Sequence, residues 1–161
     1  MIKIYTDGGC RGNPGIGGWA ACIYLPNNEK HIIAQGTQQT TNNIMELTGA
    51  IKGIQYYQKH LKIEGQPIGV YTDSMYVINC VTTWIINWKK NNWRNAAKKP
   101  VKNVELIKEL DELVQEFKVS MNWVKGHSGD EGNETCDETL NIIMDRITNG
   151  EDDPCIIDPE L

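Results

Sequence analysis

No stretch of this 161-residue chain is apolar for long enough to cross a bilayer as a helix. The longest uninterrupted run, Trp19 to Leu25, falls far short of the roughly 20 residues such a span needs. Nothing ahead of the alternating Met1-Ile2-Lys3-Ile4-Tyr5 has the pattern of a leader peptide, so a cytoplasmic chain with no membrane partner is expected. No C-x-x-C pair occurs among the five cysteines, and His31, His60 and His127 are equally scattered. A disulfide framework or structural zinc site is therefore excluded as the organising principle, and a reducing compartment is expected. With 40% hydrophobic and 23% charged residues the chain is not a disordered polymer, and its length suits one domain.

Acidic residues are missing from one long segment. Residues 74–104 hold Lys89, Lys90, Arg94, Lys98, Lys99 and Lys102 but no Asp or Glu, in a chain of net charge −5. A basic block inside an acidic chain reads as a local surface for a polyanion, whereas a merely solvated helix face would intersperse acids with the bases. Trp84, Trp88 and Trp93 interleave with these cations. Trp84 and Trp88 stand one helical turn apart, so core packing is an alternative for them. The chain ends in Glu151, Asp152, Asp153, Asp158 and Glu160 with two prolines. Residues 149–161 are expected to form a flexible acidic tail behind a domain of residues 1–148.

Periodicity gives the outline of the fold. Residues 2–7 read as a strand entering a glycine-rich turn, and residues 19–25 and 31–35 as a hairpin around Pro26. From Asn43 to about His60 the spacing of Leu47, Ala50, Ile51 and Ile54 is helical. A strand follows at residues 68–73, then one helix through Val77, Val81, Trp84 and Trp88, and an amphipathic helix from Val104 to Phe117. Residues 119–124 alternate as a strand, and a last helix is expected from Asn133 to Ile147. Strands in sequence followed by helix–strand alternation indicate a mixed α/β sheet. Gly15-x-Gly17 through Ala20 mimics a dinucleotide-binding fingerprint but leads into a strand and lacks the ribose-binding acid, so no such site is expected.

Two strands end in the same triplet, Tyr5-Thr6-Asp7 and Tyr71-Thr72-Asp73. If they are parallel neighbours, both aspartates stand at the edge where α/β sheets place their sites. Glu46 lies at the start of the next helix, on the same face as Gly49, Ala50 and Gly53, a small-residue track that permits close approach to the sheet. Asp137 sits early in the last helix. Singly, each acid has a plain structural use: a turn residue, a capping box with Asn43, or a complement to a helix dipole. Together they repel, by roughly 3 kcal/mol for two charges about 5 Å apart at an effective dielectric near 20. A gathering of carboxylates without His or Cys suits Mg²⁺ or Mn²⁺, and paired ions of that kind serve displacement at phosphorus.

The blocks Thr6-Asp7-Gly8-Gly9-Cys10-x-Gly12-Asn13-Pro14-Gly15, Thr41-Asn42-Asn43-x-Met45-Glu46-Leu47, Thr72-Asp73-Ser74, Trp84-x-x-Asn87-Trp88-Lys89-Lys90, Lys98-Lys99-Pro100, and Trp123-Val124-Lys125-Gly126-His127 with Asn133-x-x-Cys136-Asp137 resemble the type 1 ribonuclease H family in order and spacing. The resemblance implies a five-stranded mixed sheet, three antiparallel strands and then parallel ones, flanked by helices and carrying a basic handle. It implies hydrolysis of the RNA strand of RNA–DNA hybrids by a monomer using two Mg²⁺ ions, with Mn²⁺ an alternative, leaving 5′-phosphate and 3′-hydroxyl ends. The metal-binding carboxylates would be Asp7, Glu46, Asp73 and Asp137, and His127 would serve proton transfer near the scissile phosphate.

Substrate contacts are expected from Cys10, Asn13, Asn42 and Asn43 at 2′-hydroxyls, Thr41 at a DNA phosphate, Met75 and Asn133, and Trp84, Trp88, Lys89, Lys90, Lys98 and Lys99 in the handle. Gly9, Met75 and Thr139-Leu140 depart from the usual family residues without touching a metal ligand. Two other readings stay open on the residues alone: a different nuclease on the same fold, and a non-catalytic hybrid-binding module.

Overall fold

The computed structural model describes residues 1–126 and 128–160. Strands β1 (Ile2–Arg11), β2 (Gly15–Tyr24) and β3 (Lys30–Thr40) form an antiparallel meander. Helix α1 (Asn42–Tyr56), extended by a π-helical turn at Tyr57–Leu61, returns the chain to β4 (Ile68–Thr72), which lies parallel to β1. Helices α2 (Met75–Thr82), α3 (Trp84–Lys90) and α4 (Val104–Phe117) precede β5 (Ser120–Trp123), parallel to β4. Helix α5 (Glu131–Thr148) and β6 (Cys155–Asp158) complete the chain. The sheet order is β5-β4-β1-β2-β3-β6.

The uninterrupted apolar run in β2 has a simple cause: both faces of the sheet are covered. Trp19, Ala21 and Ile23 point into the larger core beneath α1, α2 and α4, while Ala20 and Cys22 meet Cys136, Leu140, Ile143 and Met144 of α5. No described helix is long and apolar enough to cross a membrane.

Three expectations are corrected. The helix expected through Val77 and Trp88 is two, broken at Thr83. The Thr82 hydroxyl donates to the Ile78 carbonyl at 2.6 Å, the back-bonding that bends helices at Ser and Thr. The sheet has six strands, not five, and the extra one comes from the segment expected to be a flexible tail. Ile32, Ile33, Ala34 and Gln35 of β3 pair antiparallel with Asp158, Ile157, Ile156 and Cys155. The Gly36 N–H donates to the Pro154 carbonyl at 3.0 Å, Gln38 Nε2 to the Asp152 carbonyl at 2.9 Å, and Arg146 grips Glu151 through two 2.8 Å contacts. An open β3 edge would leave a row of backbone groups without partners. The tail supplies them, and its flanking acids and prolines leave the new edge poorly suited to further pairing.

Candidate active site

The repeated triplets do stand side by side. Tyr5 and Tyr71 are register partners of parallel β1 and β4, their rings stacked at 5.1 Å, so two residues on Asp7 and Asp73 reach the same carboxyl edge of the sheet. Glu46 arrives from α1 because glycines remove the side chains that would hold the helix away. A Cβ on Gly8 would lie 2.5 Å from the Glu46 nitrogen, and one on Gly49 3.2 Å from the Asp7 carbonyl oxygen. Any side chain at position 8 would push α1, and Glu46 with it, off the sheet. Gly126 is a second close approach: a Cβ there would meet Asp73 Oδ2 at 2.8 Å.

Asp7, Glu46 and Asp73 bring one carboxylate oxygen each within 4.8 Å of one another. Asp137, half-buried on α5, is not part of that group, yet its charge acts on Asp7. Burial first, then the Asp73 and Asp137 charges, push the Asp7 carboxyl up to about 7, against the opposing Gly8 N–H that donates to Oδ1 at 2.9 Å. Burial, with Asp7 and Asp73 next, raises Glu46 well above the usual carboxylate range. Glu46 Oε2 is buried without a hydrogen-bond partner among the described residues. Nearby acids that resist ionisation and an orphaned oxygen are what a hard divalent cation would satisfy. The all-oxygen donor set fits Mg²⁺ or Mn²⁺ and not a soft metal.

Beside the carboxylates, three expected contact residues form one network. Asn42 Oδ1 accepts from the Cys10 N–H at 2.9 Å and from its thiol at 3.3 Å, while Asn13 Oδ1 accepts from the Asn42 N–H at 3.2 Å. The β1–β2 turn is thereby fastened to the start of α1. Thr41 caps α1, its hydroxyl accepting from the Ile44 N–H at 3.3 Å, and Asn43 is exposed beside it. Met75 opens α2 and is 49% exposed. Asn133 is buried near the start of α5, and its backbone N–H donates to the Asp130 carboxylate that caps the helix. His127 lies outside the described residues.

The handle is a row of aromatic rings with cations around it. Centroids run from Tyr76 to Trp84 at 6.1 Å, to Trp88 at 5.8 Å and on to Trp93 at 6.2 Å. Trp84 is 40% exposed, whereas Trp88 leans on the core. A cleft of about 270 Å³ opens along Trp84, Trp88, Asn91 and Arg94. Lys90, Lys98 and Lys99 are exposed. Lys89 is not free: its ammonium lies 2.8 Å from Asp111 Oδ2. Sequence reading missed this partner, although an acid at position 111 interrupts the apolar stripe of Ile107, Leu110 and Val114, a visible signal.

Known proteins are similar to this chain in sequence and in fold. A family model described as RNase H matches residues 1–141. Ribonuclease H of Hydrogenovibrio crunogenus is 49% identical over 148 residues, 91% of this chain and 97% of the relative. Ribonuclease H of Ruthia magnifica subsp. Calyptogena magnifica is also 49% identical over 148 residues, again 91% and 97% of the two chains. Among solved structures, LC9-RNase H1 superposes with a TM-score of 0.73 at 23% identity, covering 90% of this chain and 72% of that one. LC11-RNase H1 in complex with RNA/DNA hybrid gives 0.66 at 22% identity over 92% and 99% of the two chains. At those identities the structures speak for the fold alone, while the family match and the near-half identity to the two bacterial relatives reach further: this chain belongs to the RNase H family.

Proposed function

We propose that this chain is an endonuclease that hydrolyses the RNA strand of RNA–DNA hybrids, acting as a monomer. One observation carries the reading: three carboxylates share a pocket in a chain that also carries a row of aromatic rings flanked by exposed lysines. A binding module would gain nothing from holding such acids in mutual repulsion.

Asp7, Glu46 and Asp73, with Asp137 completing the set, would hold two divalent ions, Mg²⁺ in the first place and Mn²⁺ as a substitute. Bound divalent ions supply positive charge to the phosphate in the transition state and make water more acidic. In the hydrolysis a water oxygen bonds to phosphorus, the bond from phosphorus to the 3′ oxygen breaks, and that oxygen takes up a proton. A 5′-phosphate and a 3′-hydroxyl result. His127 is assigned to proton movement at the scissile phosphate on the strength of its place in the Lys125-Gly126-His127 block, and imidazole titrates in the range such a role needs.

The remaining groups orient the hybrid. Cys10, Asn13 and Asn42, fixed by their mutual hydrogen bonds, present short polar groups to 2′-hydroxyls, the feature separating an RNA strand from DNA. Lys90, Lys98 and Lys99 meet DNA-strand phosphates, and Trp84 offers an apolar face to the sugars. The test is a cleavage assay on end-labelled hybrid, duplex DNA and duplex RNA, with and without EDTA. Cutting of the RNA strand in the hybrid alone, stopped by EDTA, is the expected result. Hybrid binding without cutting, or cutting of duplex DNA, would replace the proposal.

A further inference from the structure

Lys89 and Lys90 are neighbours in sequence with different surroundings. Lys90 has no ion-pair partner among the described residues, whereas Lys89 reaches Asp111 on α4 at 2.8 Å. Asp111 is only 7% exposed, lies among Ile107, Leu110 and Val114, and its Oδ1 has no hydrogen-bond partner among the described residues. A carboxylate on an apolar helix face is costly unless a cation answers it, and the cation here comes from the handle helix. A second tie runs the opposite way: Lys108, one turn before Asp111 on α4, holds its ammonium 5.2 Å from the Trp93 ring centre. Trp93 in turn packs on Trp88 and accepts from the Val101 N–H at 3.0 Å. Two cation contacts thus tie α3 and the start of the basic loop to α4.

We propose that the Lys89–Asp111 pair is a strut that sets the angle of the basic loop to the body of the protein, so that Asp111 is a positioning residue for the hybrid and Lys89 is not a phosphate contact. The inference rests on the hybrid being the ligand, as proposed above. A strut and a phosphate contact leave different marks. Each phosphate neutralised adds about 0.9 to the slope of log affinity against log salt, on the duplex-DNA scale. Losing a strut weakens binding equally at all salt concentrations.

Hybrid affinity is to be measured in EDTA across a series of NaCl concentrations for the wild type, Lys89→Met, Lys90→Met and Asp111→Asn, with kcat and KM in Mg²⁺. Lys90→Met is expected to reduce the slope by about 0.9, one counterion's worth. Lys89→Met and Asp111→Asn keep the wild-type slope, raise Kd and KM several-fold and leave kcat within twofold. Their double variant binds no worse than the weaker single, and Lys89→Arg restores wild-type affinity. Limited proteolysis without nucleic acid reads the strut independently: cleavage between residues 91 and 102 speeds up in Lys89→Met and Asp111→Asn, not in Lys90→Met. A slope reduced in Lys89→Met as in Lys90→Met would make Lys89 a phosphate contact and overturn the strut. Wild-type proteolysis in Asp111→Asn would overturn it as well. Should the wild type fail to bind hybrid, the functional reading falls while the proteolysis result still decides the strut.

Discussion

The carboxylate pocket and the handle are both gatherings of like charge, and they are held in opposite ways. Acids in the pocket are fixed by backbone: the parallel register of β1 and β4, and an α1 brought so near that position 8 has no room for a Cβ. The handle is tied to the body by side chains: ring on ring, Lys108 over Trp93, Lys89 on Asp111. Buried acids keep their repulsion because packing leaves them nowhere to go, and burial first, with that repulsion second, raises the carboxyls of Asp7 and Glu46. Exposed lysines dissipate theirs in water and salt. Chemistry that needs fixed charge is therefore placed on backbone, and recognition that must adapt to a flexible polyanion is placed on side chains.

Breaking the pocket should cost most. Asp7→Asn removes the acid that faces Glu46, Asp73 and Asp137, and hybrid cleavage should fall by more than the roughly 100-fold seen for loss of an outer partner of a metal ligand. Hybrid affinity should stay within a few-fold, because the handle is untouched. The same substitution should raise the melting temperature in EDTA, since a buried repelling charge is gone. Cleavage close to the wild-type rate would refute the role given to Asp7.

Next comes Gly8→Ala. The added methyl meets the backbone of Met45 and Glu46, which cannot rotate away as a side chain would, so about 1–3 kcal/mol of stability is expected to go. Chemical denaturation measures it. Because Glu46 moves with α1, kcat should fall more than hybrid affinity; a wild-type kcat would mean that α1 takes up the methyl without displacing Glu46.

The pH dependence of the metal-free protein separates the two regions further. Asp7 is pushed from 3.8 to about 7 on folding, so between those values the folded state binds more protons than the unfolded one. Stability must then fall as pH rises from about 4 to 7. Glu46, raised in the same direction, adds to the slope. Added Mg²⁺ should recover the loss, stabilising more at pH 7.5 than at pH 5 in thermal melts. Replacing both Asp7 and Glu46 by their amides should flatten the profile. An unchanged profile would place its origin elsewhere.

These contrasts also explain what was legible in the sequence. Asp7 and Asp73 announced themselves through a repeated triplet and Glu46 through a small-residue track, because period and size are local properties of a chain. The amphipathic α4 was equally plain. The strand at Cys155–Asp158 was not, since four residues among acids and prolines carry no strand signal until the β3 edge is beside them. Nor was the fate of Lys89 visible, because its partner is 22 positions away. Composition shows that a surface is basic, but which of its cations are already engaged depends on tertiary contacts.

The smallest effect belongs to a single handle cation. Lys99 is exposed and has no ion-pair partner among the described residues, so neutralising it disturbs neither the pocket nor the ties to α4. If it meets one phosphate, the wild type gains one counterion's worth of salt sensitivity from it. Between 50 and 200 mM salt that is a factor of about 3.5 in affinity. Lys99→Met should therefore bind more weakly than wild type at 50 mM and nearly match it as salt rises, with kcat at saturating hybrid unchanged. Affinity curves that stay parallel across the salt range would mean that Lys99 stands clear of the phosphates, and the DNA strand would then run along Lys90 and Lys98 instead.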